Sequence, residues 1–241
     1  MIRYDGLDAR SLERLTGAPL VVLERSIPST QDALHALAAG GAPSGSVVLA
    51  DEQTAGRGRQ GRTWHSPGGR GVWMSVLHRP APSPASGALA VRAGLALLEA
   101  VREATGGAPA QLKWPNDLMV ADRKAGGVLC EARRAGPGGH WVATGIGVNV
   151  SGPVAPAVRD LAVALGDVSP GLSRLGLLAA LVPRLVGLGS LPPALSEEER
   201  RAFLLAEWRE PDGERTVDLA PDGARVVRLA SGALDRRVAA T

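Results

Sequence analysis

The seven residues Gly56-Arg57-Gly58-Arg59-Gln60-Gly61-Arg62 restrict this chain more than any other stretch. Glycine at every second or third position permits positive φ and close backbone approach, and it weakens any helix or strand interior. The three guanidiniums carry fixed forks of donors that fit phosphate and carboxylate oxygens. A packed core has no use for three cations on so pliable a segment. The heptad is therefore a loop. Ser46 to Glu52 leads into it and Gly71 to Leu77 leads out, both strand-like, so it joins neighbouring strands at one edge of a sheet. Without a ligand the arginines are expected to repel one another and leave the loop mobile until an anion arrives.

Two phosphate motifs overlap this loop, and neither fits. Gly56, Gly58 and Gly61 spell G-x-G-x-x-G, and Gly56 to Thr63 approximates a P-loop with Arg62 in the lysine place. Both motifs must open a helix. Thr63-Trp64-His65-Ser66-Pro67-Gly68-Gly69 cannot be one, and no acid stands near residue 81 to receive a ribose. Alone, the heptad is equally compatible with a solvated charged loop, so its meaning depends on what else converges on it.

The surrounding pattern is α+β. Residues 8–16 suit a short amphipathic helix, and Leu20 to Glu24 suits a strand that Pro28 ends. Ser29 to Asp32 fits the [ST]-x-x-[DE] cap of a helix running to Ala39, whose N-terminus also offers free N–H groups to an anion. Pro80 to Pro84 is a turn, and Ala88 to Ala104 is a helix with a broad apolar face that must be buried. Leu112-Lys113, Leu118 to Val120, Gly126 to Glu131 and residues 141–150 are strands separated only by the turns at Pro115-Asn116-Asp117 and Asp122-Arg123. Hairpins without intervening helices predict a mixed, largely antiparallel sheet with helices packed on one face. Residues 151–170 are irregular, and helices follow at 171–189 and 195–209. After Pro211 one hairpin, Thr216 to Leu219 and Ala224 to Ala230, precedes a tail. The expected division is a main domain over 1–210 and a truncated β segment over 211–241, too short for its own core.

Composition narrows the function. The single Cys130 excludes a disulfide framework and a multi-cysteine metal centre, and is expected to be a buried strand thiol. There is no apolar run of 18 residues and no signal pattern in the first 30, so a cytoplasmic protein without membrane contact is expected. A net charge of +3 suits an anionic small ligand as well as nucleic acid. With 3% aromatic residues and no long basic stripes, nucleic acid is disfavoured. Of 27 basic residues only Lys113 and Lys124 are lysine, which marks them as places where a compact ammonium is needed.

The polar residues group by position: Arg57, Arg59 and Arg62 at a strand end, Lys113, Asn116 and Asp117 at a turn, Lys124 at the next hairpin, Asn149 closing a strand. Brought to one rim, they would bind a multiply charged anion. Ser29-Thr30-Gln31, Gly56 to Trp64, Lys113-Trp114-Pro115-Asn116-Asp117, Lys124-Ala125-Gly126-Gly127-Val128-Leu129 and Gly145-Ile146-Gly147-Val148-Asn149 together closely resemble biotin protein ligase (biotin–[carboxylase] ligase). The resemblance covers residues 29–149 and implies a class II synthetase-like catalytic domain with a reduced SH3-like end. It implies that biotin's carboxylate attacks the α-phosphorus of ATP, with Mg²⁺, to give biotinyl-5′-AMP, and that a lysine of the biotin carboxyl carrier protein then takes the biotin. Carried over by residue, Ser29, Thr30, Gln31, Gln53, Gly56, Arg57, Arg59, Lys124 and Gly126 would surround biotin. Arg57, Arg59, Arg62, Trp64, Lys113, Asn116 and Asn149 would meet the nucleotide. Lys124 and Arg59 would stabilise the charge that gathers on phosphorus oxygens, and Asp117 is the candidate base; no resident metal ligands are assigned.

Only about 28 residues precede Ser29, so no DNA-binding segment or repressor role is expected. A homodimer paired at a sheet edge is compatible with the pattern. The rivals are a lipoate-type ligase or acyltransferase of the related fold, against which the arginine loop and the Lys113–Asp117 turn argue, and a non-catalytic biotin-binding module.

Overall fold

The computed structural model describes residues 2–79, 87–135, 139–209, 214–229 and 231–239. The expected Pro80–Pro84 turn, the Pro211 boundary and the Ala230 strand end lie outside them.

The α1 helix (Ala9–Thr16) is capped by Asp8, whose side chain accepts from the Ser11 N–H. The chain then alternates β1 (Val21–Ile27), α2 (Thr30–Ala39), β2 (Val47–Gln53) and β3 (Gly71–His78) before α3 (Ala88–Thr105). Four strands follow without a helix: β4 (Ala110–Lys113), β5 (Asp117–Val120), β6 (Arg123–Ala135) and β7 (Gly139–Asn149). Helices α4 (Arg174–Gly187) and α5 (Glu197–Ala206) precede β8 (Thr216–Leu219), β9 (Arg225–Arg228) and β10 (Leu234–Arg237).

Among the described residues, β1 to β7 form one sheet in the order β1-β2-β3-β7-β6-β5-β4. Only β1 and β2 run parallel, because α2 carries the chain back between them; every other pair is antiparallel. β2 and β3 are therefore interior strands, and the arginine loop leaves the end of the sheet rather than its edge. Alternation along each strand splits the apolar residues between two faces. Val47, Leu49, Val72, Met74, Val76, Ile146 and Val148 join one core with α3, α4 and Phe203 of α5. Val48, Leu77, Trp141 and Ala143 meet Leu34 and Ala38 of α2 in a second cluster. The helices therefore do not all share a face: α2 alone covers part of the other one, and the rest of that face is left for the site.

The C-terminal residues form three strands, β10-β9-β8, not one hairpin and a tail. They bury Leu219, Ala224 and Val227. This sheet is tied to the main body where the Trp114 indole donates to Gly223 O (3.0 Å) and Leu195 N donates to Pro221 O (2.7 Å).

Candidate active site

A cavity of about 500 Å³ opens on the face that α2 leaves bare. Its floor follows from register. Trp73 pairs with Gly147 and Gly147 with Gly127, while Ser75 pairs with Gly145 and Gly145 with Leu129. All six positions face one side. Gly145 and Gly147 lack side chains because others lie across them. A Cβ at 145 would stand 3.0 Å from Gln31 Nε2, and one at 147 would stand 2.5 Å from the Trp64 indole.

One end of the cavity is built by the start of α2. Gln53 Oε1 accepts from Thr30 N (2.9 Å) and Thr30 Oγ1 (3.0 Å), and Gln53 Nε2 donates to Ser66 Oγ (2.8 Å). The Thr30 hydroxyl also lies 2.9 Å from Ser75 Oγ, and Gln31 Nε2 donates to Leu129 O (2.9 Å). Ser29 is the N-cap residue, yet its hydroxyl makes no bond to the helix, which overturns the capping expectation. Ser29 Oγ and Gln31 Oε1 are buried without a partner among the described residues, and both residues line the cavity. Leaving such an atom unpaired costs about 1–3 kcal/mol, so this end is built to be completed by a polar ligand.

The other end carries charge. Lys124 Nζ lies 2.6 Å from Asp117 Oδ1 and 5.1 Å from the centre of the Trp64 ring. The backbone of Lys124 is fixed on both sides, donating to Leu161 O (2.8 Å) and accepting from Val163 N (3.0 Å). Arg59 Nη1 donates to Asn116 Oδ1 (3.1 Å), and Asn116 Nδ2 donates to Val128 O (2.5 Å). Burial lowers the pKa of Arg59, as expected of a cation drawn into a cleft. Asn149 Nδ2 donates to Val163 O (3.3 Å). Asp117 is the single carboxylate among the described residues lining the cavity.

The arginine loop closes as a small hairpin, with Gly58 N donating to Arg62 O (2.7 Å) and Trp64 N to Gly56 O (2.8 Å). Its first arginine is held by carboxylates, while Arg59 and Arg62 still repel each other. Arg57 donates to Asp32 (2.5 Å) and Glu131 (3.0 Å), and the bond to Asp32 is the main reason that its pKa is raised. The expected mutual repulsion is thus relieved at Arg57, whose counterions come from α2 and β6, far away in sequence.

Ser29, Thr30, Gln31, Gln53, Arg57, Arg59, Arg62, Trp64, Asn116, Asp117, Lys124 and Asn149 all line the one cavity. Three expected residues do not. Lys113 extends over the Trp208 ring (4.7 Å), because the chain after α5 runs beside β4 and Trp208 N donates to Leu112 O. Gly56 packs against the Trp64 carbonyl and Ser66, and Gly126 against Gly147 O, 3.0 Å from where a Cβ would sit; both are sites of close backbone approach rather than wall. Sequence reasoning missed Arg70, Ser151 to Ala155, Val158, Leu161 and Ala162, which also line the cavity. Their Pro/Gly-rich text carries no periodic signal, although Arg70 sits one residue before a strand.

Known proteins resemble this arrangement. A model of the biotin/lipoate A/B protein ligase family matches residues 23–149. The biotin–[acetyl-CoA-carboxylase] ligase of Mycobacterium tuberculosis is 34% identical over 236 residues, 90% of this chain and 86% of that protein. The bifunctional ligase/repressor BirA of Bacillus subtilis is 39% identical over 149 residues, 61% of this chain and 44% of that protein. The chain thus spans less than half the length of its Bacillus relatives. The solved biotin protein ligase from Aquifex aeolicus in complex with biotin and ATP superposes with a TM-score of 0.72 at 25% identity, covering 91% of this chain and 95% of that one.

Proposed function

The chain belongs to the biotin/lipoate A/B protein ligase family, and from that premise we propose that it is an ATP-dependent biotin protein ligase. The observation that carries this reading is a single cavity with two unlike ends: orphaned, buried Ser29 Oγ and Gln31 Oε1 at one, and Lys124, Arg59 and Asn116 at the other. A neutral, hydrogen-bonding ring system with an anionic tail, joined to a nucleotide, is the ligand that uses both. The volume is within the ordinary range of roughly 300–1,000 Å³ for small-molecule sites.

In this reading Ser29, Thr30, Gln31 and Gln53 hold the biotin ring. Biotin's carboxylate oxygen attacks the α-phosphorus of ATP, and the bond to pyrophosphate breaks. Lys124 and Arg59 stand where the phosphorus oxygens gain negative charge, so they favour the transition state over the ground state. Arg57, Arg62, Trp64 and Asn149 frame the adenylate. The loop and Trp64 exclude water from the mixed anhydride. The amine of a carrier lysine then attacks the acyl carbon, AMP leaves, and Asp117 accepts the amine's proton. A free lysine has a pKa near 10.4, so some acceptor is needed at neutral pH.

Among the described residues no group of three His, Cys, Asp or Glu gathers as a metal site. Mg²⁺ would arrive with the triphosphate, held by one or two protein oxygens. Asp117 and Asn149 would supply such oxygens, the Asn116 oxygen being taken by Arg59, and the ion would neutralise phosphate charge.

The reading extends to a biotin carboxyl carrier protein as partner, a cytoplasmic setting, a catalytic domain over residues 1–210 and a reduced SH3-like segment over 211–241. A homodimer would form at β1, the terminal strand of the sheet among the described residues. The test is to incubate the protein with ATP, Mg²⁺, biotin and a carrier domain and to weigh the carrier. A biotin mass increase is expected, with ATP–pyrophosphate exchange stimulated by biotin and not by lipoate. Stimulation by lipoate alone, or tight biotin binding without labelled carrier, would refute it.

A further inference from the structure

We propose that His35 is a positioning residue: through Glu131 it fixes Arg57, and with Arg57 the arginine loop, over the cavity. Neither His35 nor Glu131 lines the cavity, so any effect on it must pass through another group.

His35 lies in α2 with its side chain 1% exposed, beside the apolar cluster of Leu34, Ala38, Leu77 and Trp141. A histidine there needs both ring nitrogens satisfied, and both are. Trp141 Nε1 lies 2.9 Å from His35 Nδ1. An indole N–H only donates, so Nδ1 must accept and the ring proton sits on Nε2. His35 Nε2 lies 3.2 Å from Glu131 Oε2 and, in that tautomer, donates to it. The same oxygen receives Arg57 Nη2 at 3.0 Å. Arg57 Nη1 reaches Asp32 Oδ2 at 2.5 Å, one turn before His35 on the same helix. The Arg79 guanidinium stacks 5.1 Å from the Trp141 ring.

The result is a directed relay, Trp141 to His35 to Glu131 and back from Arg57, that links β7, α2 and β6 to the first arginine of the loop. Hydrogen bonding from His35, and then from Arg57, keeps Glu131 below its ordinary pKa, so the carboxylate is held in the charged form that binds Arg57. An apolar residue at 35 would fill the same space. It would leave Glu131 with one donor fewer and free to swing, and Arg57 with Asp32 alone.

What the loop closes over rests on the ligase reading; the latch itself does not, and it is tested first on the free protein. Limited trypsin digestion of the folded protein reports release of the loop through cleavage at Arg57, Arg59 and Arg62. In His35→Leu, cleavage in the loop should rise about tenfold, the scale of losing one hydrogen bond to a charged group. His35→Gln, whose amide can still donate to Glu131, should stay within about threefold of the parent. Glu131→Gln, which keeps the shape and removes the charge, should behave as His35→Leu does and supplies the test if His35→Leu does not fold. In biotin-dependent ATP–pyrophosphate exchange, His35→Leu should raise KM about tenfold with kcat nearly unchanged, and should add nothing in an Arg57→Ala background. Unchanged loop cleavage in a folded His35→Leu or Glu131→Gln protein, or full multiplication of the His35 and Arg57 effects, overturns the proposal. If cleavage rises but the parent shows no biotin-stimulated exchange, the latch stands and the ligase reading falls.

Discussion

Gly147→Ala tests whether the sheet face under Trp64 is built for the site. The added Cβ would stand 2.5 Å from Trp64 Cε2 and Nε1, where ordinary van der Waals contact begins near 3.4 Å. The indole must therefore retreat by roughly 1 Å. It cannot retreat freely, because it packs edge-on against Trp73, with centroids 6.5 Å apart at 69°, and Trp73 is 1% exposed. The displacement passes to Lys124, whose ammonium lies over the same ring. A misplacement of about 1 Å at reacting groups can cost about 100-fold in rate. Biotin-dependent ATP–pyrophosphate exchange should fall by about that factor, while overpacking should destabilise the protein by about 1–3 kcal/mol. Exchange and urea unfolding measured on one preparation separate the two. A folded Gly147→Ala protein with exchange within about threefold of the parent would refute the assignment of Trp64 and Lys124 to the reacting centre.

Lys124→Ala should lower ligation by about 100- to 1,000-fold, the scale of removing one group that meets developing charge. Biotin affinity measured by calorimetry should change far less; an equal loss in both would make Lys124 a plain binding group. Burial lowers the pKa of His78 from 6.5 to about 4, and its ring nitrogens have no partner among the described residues. Below pH 6.5 the unfolded chain takes up a proton that the folded one refuses. Stability should therefore fall as pH drops from 6.5 towards 4, by about 3 kcal/mol in all. Urea unfolding at pH 7 and 4.5 should show this slope, and His78→Leu should flatten it; equal slopes count against it. Arg92 is 4% exposed and pairs through Nε with Glu199 Oε1 (2.6 Å) and through Nη2 with Oε2 (2.9 Å), tying α3 to α5. Arg92→Ala should cost about 3–5 kcal/mol, read as a lower urea midpoint; a loss under about 1 kcal/mol would show a pair no better than a surface one.

Local chemistry in the sequence was enough to identify the loop, the strand runs on either side of it, the long α3 helix and the hairpins from β4 to β7. Each depends on residues within a few positions of one another: glycine spacing, alternation, apolar periodicity, a proline stop. Lys124 and Asn116 group by their places at strand turns, whereas Ser29 and Gln31 enter the site only through the family resemblance; all four line the cavity.

What local spacing could not decide was which side chains meet. Register places Gly145 and Gly147 under Gln31 and Trp64. The β1–α2–β2 crossover puts α2 on the opposite face from the other helices, and so sets Asp32 and His35 beside Glu131. Arg57 therefore finds counterions 25 and 74 residues away, which no reading of the heptad alone could supply. Lys113 leaves the cavity because the segment after α5 offers it an indole, while Arg70, which no motif singled out, lines it. A strand's side chains alternate by sequence, but which of them share a wall is fixed only once the strands are paired.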